Sequence, residues 1–249
     1  MGPSPIPPGV EVKGGGLKTV LLILLAVIVV GGVGALAYFV VFPLLFPPSV
    51  PVTAPPPVQV PSLAQHKSFL VSPPAAEAEI KLADRSYLTI ITALQSESFT
   101  QLADGQFKEV KISDNRGQVP FAGFLGGITP AATALGVQDW FEDDFTAVLY
   151  YDPNGAWPLY AARLKDGVDA ATVASGFKQI ESVLDTANFY LTTPGSFAEF
   201  KDGKIGNYAT RYSVGTQLGA SFNYGVFGRF FVISTNFNGL KVALPLLGL

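Results

Sequence analysis

The longest apolar run of the chain lies near its N-terminus. From Thr19 to Phe42 no side chain is charged, and the run reads TVLLILLAVIVVGGVGALAYFVVF. At about 1.5 Å per residue, a helix of this length reaches across a hydrocarbon core of about 30 Å. A core helix of a globular protein would keep a polar face, and this run has none. The pattern therefore predicts a transmembrane helix over residues 18–42.

The residues on either side of this run predict its orientation. Lys13 and Lys18 precede it, whereas the next basic residue after it is Lys67. This asymmetry predicts a cytoplasmic N-terminus and an extracytoplasmic C-terminal part. Because the run is longer than the apolar core of a cleavable signal peptide, we expect an uncleaved signal anchor in the cell membrane. Within it, Gly31 and Ala35 form a small-xxx-small pair that predicts close helix packing in the bilayer and would allow a homodimer.

Prolines cluster on both sides of the predicted span. Residues 1–17 contain four prolines and few large apolar side chains, which predicts a disordered cytoplasmic tail. Ten further prolines lie within residues 43–75, where their missing amide donors exclude a helix or a central strand. We therefore expect an extended, Pro-rich extracytoplasmic linker over residues 43–75. His66 falls in this linker, and we expect its side chain to be solvated.

The rest of the chain, residues 76–249, alternates between helical and strand periodicity. Strands are predicted at residues 106–113, 145–151, 156–163, 207–214, 218–226 and 229–235, with turns at 114–117 and 152–155. Helices are predicted at residues 84–96, 130–135, 169–185 and 236–243, the last limited by Pro245. The order hairpin, helix, three-stranded meander and helix predicts an α+β domain, in which helices cover one face of a mainly antiparallel sheet.

Composition narrows the chemistry that this domain can perform. The chain has no cysteine, which excludes disulfides, thiolate nucleophiles and Cys-based metal sites. Its single histidine excludes a multi-histidine zinc site, and a Ser-His-Asp triad could use only His66. The formal net charge of -3 argues against a nucleic-acid-binding surface, which is normally basic. We expect no cofactor and no nucleic-acid partner.

The acidic residues offer the remaining route to a metal site or to catalysis. Glu142, Asp143 and Asp144 are consecutive, and clustered carboxylates suit Ca²⁺ or Mg²⁺. They lack the alternating spacing of a calcium loop, so a solvated acidic turn is the preferred interpretation. Together with Glu181 they are also the carboxylates that a hydrolase would use. A Ser-x-x-Lys pattern occurs at Ser175–Lys178, but the motifs that accompany it in Ser-Lys enzymes are absent from the sequence.

Aromatic residues are concentrated in the last three predicted strands. They are Tyr208, Tyr212, Phe222, Tyr224, Phe227, Phe230 and Phe231. Those on one face of the sheet would pack in the core, which is the usual role of apolar strand residues. Any on the opposite face would form a platform for a protein partner or a glycan.

The layout resembles uncharacterised, signal-anchored envelope proteins of bacteria with reduced genomes. The resemblance lies in the Pro-rich tail, single anchor, proline linker and cysteine-free outer domain, and in the closing stretch that begins FFVISTNFNGL at Phe230. More distantly, the topology is similar to single-span platform subunits of type IV pilus machines, which carry a ferredoxin-like outer domain. Those subunits have a coiled coil after the span, where this chain has prolines.

These features together favour a non-enzymatic interaction or structural module of the cell envelope. Its expected partners are the lipid bilayer and an envelope protein or glycan of unknown identity. Two alternatives remain open: a pilus or secretion platform subunit with a ferredoxin-like domain, and an envelope hydrolase that uses carboxylates.

Overall fold

The computed structural model describes residues 66–249, together with three helical residues nearer the N-terminus, Leu24, Leu25 and Ile28. The chain divides into two units, residues 1–59 and 60–249, and the fold described below is that of the second unit. The predicted cytoplasmic tail, most of the predicted span with its Gly31–Ala35 pair, and most of the predicted linker lie outside the described residues. Within the described part of the chain, no helix has the length and apolar character needed to cross a bilayer.

Nine strands and five α-helices are present in residues 66–249. The strands are β1 (Ala76–Lys81), β2 (Phe107–Asp114), β3 (Gly117–Gln118), β4 (Phe141–Asp152), β5 (Gly155–Leu164), β6 (Lys201–Ile205), β7 (Tyr208–Val214), β8 (Ser221–Phe227) and β9 (Phe230–Ser234). The helices are α1 (Tyr87–Ser98), α2 (Phe121–Ile128), α3 (Pro130–Thr133), α4 (Ala170–Ile180) and α5 (Phe237–Leu246).

All nine strands belong to one mixed, mostly antiparallel sheet. Its order is β1-β2-β4-β5-β9-β8-β7-β6, and the short β3 pairs with β2 at the side of this path. Only β1 and β2 are parallel, and α1 provides the crossover that a parallel pair needs. The α+β expectation with a mainly antiparallel sheet is therefore confirmed.

Helices pack on both faces of this sheet. Phe145 of β4 faces α2, where its ring lies 4.9 Å from that of Phe124, and α1 and α4 cover the same face. Tyr150, five residues further along β4, points to the opposite face because side chains alternate along a strand. There Gly239 of α5 approaches so closely that a Cβ atom would lie 2.9 Å from the Tyr150 ring. The expectation that the helices share one face is therefore wrong for α5, whose buried Gly239 and Leu240 seal the second face.

Residues 66–71, here called the strap, lie on the second face together with α5. The Phe69 amide donates to Thr146 Oγ1 at 2.8 Å, and the Val71 amide donates to Leu246 O at 2.7 Å. The Phe69 ring packs on Phe230 with centroids 5.4 Å apart. The packed structure therefore includes residues from His66 onward, ten residues before the predicted start of the domain.

Most predicted elements are present, and their ends are set by local capping. The Asp169 side chain accepts a hydrogen bond from the Thr172 amide at 3.0 Å, and α4 begins directly after it. Asn236 caps α5 by accepting from the Gly239 amide at 2.7 Å. The α5 helix continues through Pro245 to Leu246, because a proline late in a helix blocks only one hydrogen bond to the preceding turn.

Several predicted boundaries are wrong. The α4 helix ends at Ile180 instead of Asp185. Strand β8 begins at Ser221, so Leu218, expected in the buried strand, lies in the preceding loop and is 77% exposed. The sequence patterns also missed β1, β3, β6 and α2.

Candidate functional site

The second face of the sheet is covered unequally. The strap and α5 lie over its middle strands. The end formed by β6, β7 and β8 is left uncovered, and its concave surface encloses a volume of about 440 Å³. This surface, here called the open face, is lined by Asp202, Gly203, Lys204, Thr210, Tyr212, Val214, Ser221, Asn223 and Phe237. Its volume lies in the range of about 300–1,000 Å³ that is usual for ligand pockets.

The floor of the open face is made of neutral polar groups. Tyr212 and Asn223 are direct cross-strand partners, and Ser221 is two residues before Asn223 on the same side of β8. Asn223 Nδ2 donates to the carbonyl of Ser221 at 2.8 Å and to its Oγ at 2.9 Å, which fixes the amide plane. Among the described residues no donor contacts Asn223 Oδ1. Asn223 therefore has an oriented amide oxygen available as an acceptor.

The walls of the open face are apolar and fixed in place. The Tyr212 ring lies over Gly203 of the edge strand, where a Cβ atom would come within 2.9 Å of the ring. Phe237 is the first residue of α5 and is 45% exposed. Its position is set by Asn236, which caps α5 and also donates to Gly219 O at 2.9 Å. Glycine at position 203 thus lets the Tyr212 ring approach the edge strand closely, and the helix cap positions the Phe237 ring.

The charged residues of the open face lie at its rim. Asp202 and Lys204 belong to the edge strand β6, and both are exposed. The Asp202 carboxylate accepts from Arg211 Nη1 at 2.8 Å, and neighbouring strand residues point to opposite faces, which turns Asp202 away from Tyr212. The floor itself therefore carries no formal charge.

The aromatic residues of the last three strands are mostly core residues. Phe222, Tyr224, Phe227 and Phe231 are almost fully buried. The half-buried Tyr208 and Phe230 pack on other rings, those of Phe227 and Phe69. Of this set, Tyr212 is the member that lines the open face. The expectation of core packing is therefore confirmed for most of these aromatic residues. Of the expected aromatic platform, only Tyr212 of this set is present on the open face, where Phe237 of α5 accompanies it.

The predicted acidic cluster does not form a metal centre in the described part of the chain. Glu142 lies 3.8 Å from Arg163 and 3.9 Å from Arg229, whereas Asp143 is exposed. Asp144 faces the strap instead. Among residues 66–249, no group of three His, Asp or Glu side chains is arranged to hold a metal ion.

His66 is not solvated, and this expectation was wrong. Its side chain is 9% exposed and lies between two carboxylates, with Nδ1 2.7 Å from Asp144 Oδ1 and Nε2 3.2 Å from Glu109 Oε1. Gln118 Nε2 also contacts Asp144 Oδ1 and lies 3.3 Å from His66 Nδ1. Neither carboxylate is close to His66 in sequence, so no local pattern indicated this cluster.

The His66 cluster is charged at neutral pH. Burial alone would lower the pKa of His66, but its hydrogen bonds to Asp144 and Glu109 outweigh burial and raise the pKa to about 9. Burial would raise the pKa of Glu109 and of Asp144, but their hydrogen bonds to His66 outweigh it and hold both pKa values below the ordinary range. The cluster is an imidazolium held by two carboxylates, which fastens the strap to β2 and β4.

Glu181 takes part in a second, separate ion-pair network. Arg211 Nε and Nη2 donate to its two carboxylate oxygens at 2.7 and 2.6 Å, and the Tyr224 hydroxyl donates to Oε1 at 2.5 Å. Burial would raise the pKa of Glu181, but the bond from Arg211 outweighs it and holds the pKa below the ordinary range. This network lies on the α4 side of the sheet, whereas Asp144 lies on the strap side. The carboxylates expected to serve a hydrolase therefore do not face one another.

The remaining sequence candidates are also placed apart. Ser175 is exposed on α4, and Lys178 Nζ lies 3.8 Å from Asp202 Oδ1. Among the described residues, no hydrogen bond joins the Ser175 and Lys178 side chains. The order of the nine-stranded sheet differs from the β-α-β-β-α-β unit of a ferredoxin-like domain.

Comparison with known proteins gives no relative from which a role could be transferred. No protein-family model, no curated protein and no solved structure shows a significant match to this chain.

Proposed function

We propose that this chain is a non-catalytic binding module of the cell envelope. A single N-terminal helix anchors it in the cell membrane, and the domain of residues 66–249 presents the open face outside the cytoplasm. The observation that carries the proposal is the uneven cover of the sheet. Three helices cover one face, and α5 with the strap covers the middle of the other, but the concave end at β6–β8 remains open and is lined by the half-buried Tyr212 and the exposed Phe237.

The chemistry of the described residues supports binding over catalysis. The buried Glu109 and the half-buried Asp144 and Glu181 each pair with a cation, and hydrogen bonds to it lower their pKa values. A general acid needs a raised pKa near the working pH. Fixed aromatic walls over a neutral polar floor are instead typical of a preformed binding site.

The proposal can be tested with full-length protein and an insoluble envelope preparation from cells that make it. We expect the protein to co-sediment with this material. Tyr212→Ala and Phe237→Ala should each reduce the bound fraction by about tenfold, because each removes one wall of the open face. Phe99→Ala is the matched control, since Phe99 is an aromatic residue of 83% exposure at the end of α1, on the other side of the sheet.

Two outcomes would contradict the proposal. One is the absence of any co-sedimentation above that of an unrelated membrane protein. The other is an equal loss of binding in Phe99→Ala and Tyr212→Ala, which would place the contact surface elsewhere.

A further inference from the structure

The open face presents two aromatic walls, the half-buried Tyr212 and the exposed Phe237, beside hydrogen-bonding groups of both kinds. The Tyr212 ring packs closely against Gly203, and Tyr212 lies directly opposite Asn223 in the adjacent strand. Thr210 lies two residues before Tyr212 on the same side of β7 and brings a hydroxyl that both donates and accepts. Aromatic rings of this kind offer a flat apolar surface to a ligand, and the hydroxyl and amide groups select ligands with matching polar groups.

The absence of charge on this floor narrows the class of ligand. Thr210, Tyr212, Ser221 and Asn223 are all neutral at physiological pH. Asp202 is paired with Arg211 behind the sheet. A phosphate or a polyanion would need several cationic donors. Among the described residues, the lysines beside this surface are Lys201, the cross-strand partner of Tyr212, and Lys204, and both lie on the exposed edge strand β6. The floor formed by β7 and β8 therefore offers no charged cluster to an acidic or basic ligand.

The orientation of the polar groups narrows the class again. The Asn223 amide is immobilised by its two bonds to Ser221, so its oxygen accepts from a donor that approaches along one direction. Both Asn223 and Thr210 are buried, at 2% and 7% exposure, and lie at the bottom of the concavity. Because an unmade hydrogen bond to a buried polar group is costly, a ligand must itself bond to these groups, and ligand hydroxyl groups can do so both as donors and as acceptors.

We infer that the open face binds a neutral oligosaccharide, with a sugar ring packed on Tyr212 and Phe237 and its hydroxyl groups bonded to Asn223 and Thr210. A pyranose ring has an apolar face that suits an aromatic wall and a rim of hydroxyl groups that suits the floor. The inference rests on the proposed function, because it names the class of partner that the same surface holds.

The test is a titration of full-length protein in lipid nanodiscs with maltotetraose, cellotetraose and chitotetraose. Nanodiscs avoid the sugar headgroups of common detergents, which would compete for the surface. We expect at least one of the three to bind with a dissociation constant below about 10 mM. Tyr212→Ala and Asn223→Ala should each weaken binding by about tenfold, and Tyr212→Phe should preserve it because the ring remains.

Two controls guard against unfolded variants. Phe237→Ala changes an exposed side chain and should lose binding without a change in unfolding temperature. Phe99→Ala, on the other side of the sheet, should bind like the unchanged protein.

The outcomes separate this inference from the proposed function. Failure of all three oligosaccharides to bind, or binding that survives both Tyr212→Ala and Phe237→Ala, overturns the inference. If envelope material still binds through Tyr212 while the oligosaccharides do not, the inference fails and the binding module stands. Tyr212-dependent binding of an extended peptide or a polyanion, with no oligosaccharide bound, also overturns it.

Discussion

His66 Nδ1 lies 2.7 Å from Asp144 Oδ1, and this contact joins two residues that are 78 positions apart in the chain. Through it the strap is bonded to the sheet. Glu109, only 1% exposed, contacts the other ring nitrogen at 3.2 Å. The strap is therefore held by a buried ion-pair cluster as well as by the packing of Phe69.

Replacement of His66 should destabilise the domain. In His66→Ala the buried Glu109 loses its cationic partner, and removal of one partner from a buried ion pair costs about 3 kcal/mol. We expect a loss of that size in the free energy of unfolding, measured by urea denaturation. Lys67→Ala is the matched control, because only the backbone amide of Lys67 bonds to Asp144, and it should cost less than about 0.5 kcal/mol. Equal losses in the two variants would show that the cluster does not stabilise the strap.

Stability should also depend on pH through His66. The folded pKa of about 9 lies above the unfolded value of 6.5, so the stabilisation is complete below pH 6.5 and is lost as the pH rises through 9. The groups that face the ring are Asp144, Glu109 and the neutral Gln118, and Lys111 acts on Glu109 from β2. The pKa values of Glu109 and Asp144 are lower in the folded protein than in the unfolded chain. These carboxylates therefore add stability at any pH above their unfolded pKa values, and this stability is lost as the pH falls through their folded pKa values.

The single histidine makes this titration directly observable. The proton spectrum contains one imidazole signal pair, and we expect its midpoint near pH 9 in the folded protein. His66→Asn should flatten the decline in unfolding free energy between pH 6.5 and pH 9. A midpoint near 6.5 in the folded protein would mean that the ring is solvated after all.

Gly127 of α2 should not tolerate alanine. A Cβ atom there would overlap the Arg85 carbonyl oxygen and lie 2.7 Å from Ile90 Cδ1, so the close approach of α2 to the start of α1 needs glycine. We expect Gly127→Ala to lose about 2 kcal/mol in thermal or urea unfolding, although alanine favours a helix by about 1 kcal/mol. Gly126→Ala meets only the Thr133 hydroxyl at 2.9 Å, and Thr133 is exposed, so this control should be neutral or stabilising. A stabilised Gly127→Ala would contradict the packing of α2 on α1.

Gly127 also shows why α2 could not be predicted from the sequence. The segment FAGFLGGI contains three glycines, which indicate a loop when each residue is considered alone. Two of the three have a tertiary reason, since Gly123 lets α2 approach Arg85 and Gly127 lets it approach Arg85 and Ile90. In contrast, α1 and α4 were predictable, because Ser86 and Asp169 cap helices whose apolar residues follow a helical period.

Strands were predictable where β-branched and aromatic residues form a continuous apolar run, as in β4 and β9. The edge strands β1 and β6 read AEAEIK and KDGKI, which have little strand propensity, and they form because a neighbouring strand supplies the hydrogen bonds. Of the open face, the sequence indicated the aromatic Tyr212. The neutral floor depended on the register between β7 and β8, which no local pattern specifies.

The predicted membrane topology can be tested because the chain has no cysteine. Single cysteines introduced by Ser4→Cys and Ser175→Cys would lie in the predicted cytoplasmic tail and on exposed α4. In intact cells, a membrane-impermeant maleimide should label Ser175→Cys and leave Ser4→Cys unlabelled until the membrane is permeabilised. The reverse pattern would invert the topology, and labelling of both sites would exclude a span between them.

Hydrogen–deuterium exchange of the full-length protein, with and without envelope material, locates the binding surface directly. We expect slower exchange in peptides that cover Tyr208–Val214 and Ser221–Phe227 and at the start of α5, because these segments form the open face. Exchange in α1 should not change, since it lies on the other side of the sheet. Protection confined to α1 or α4, with the open face unchanged, would contradict the assignment of this surface as the binding site.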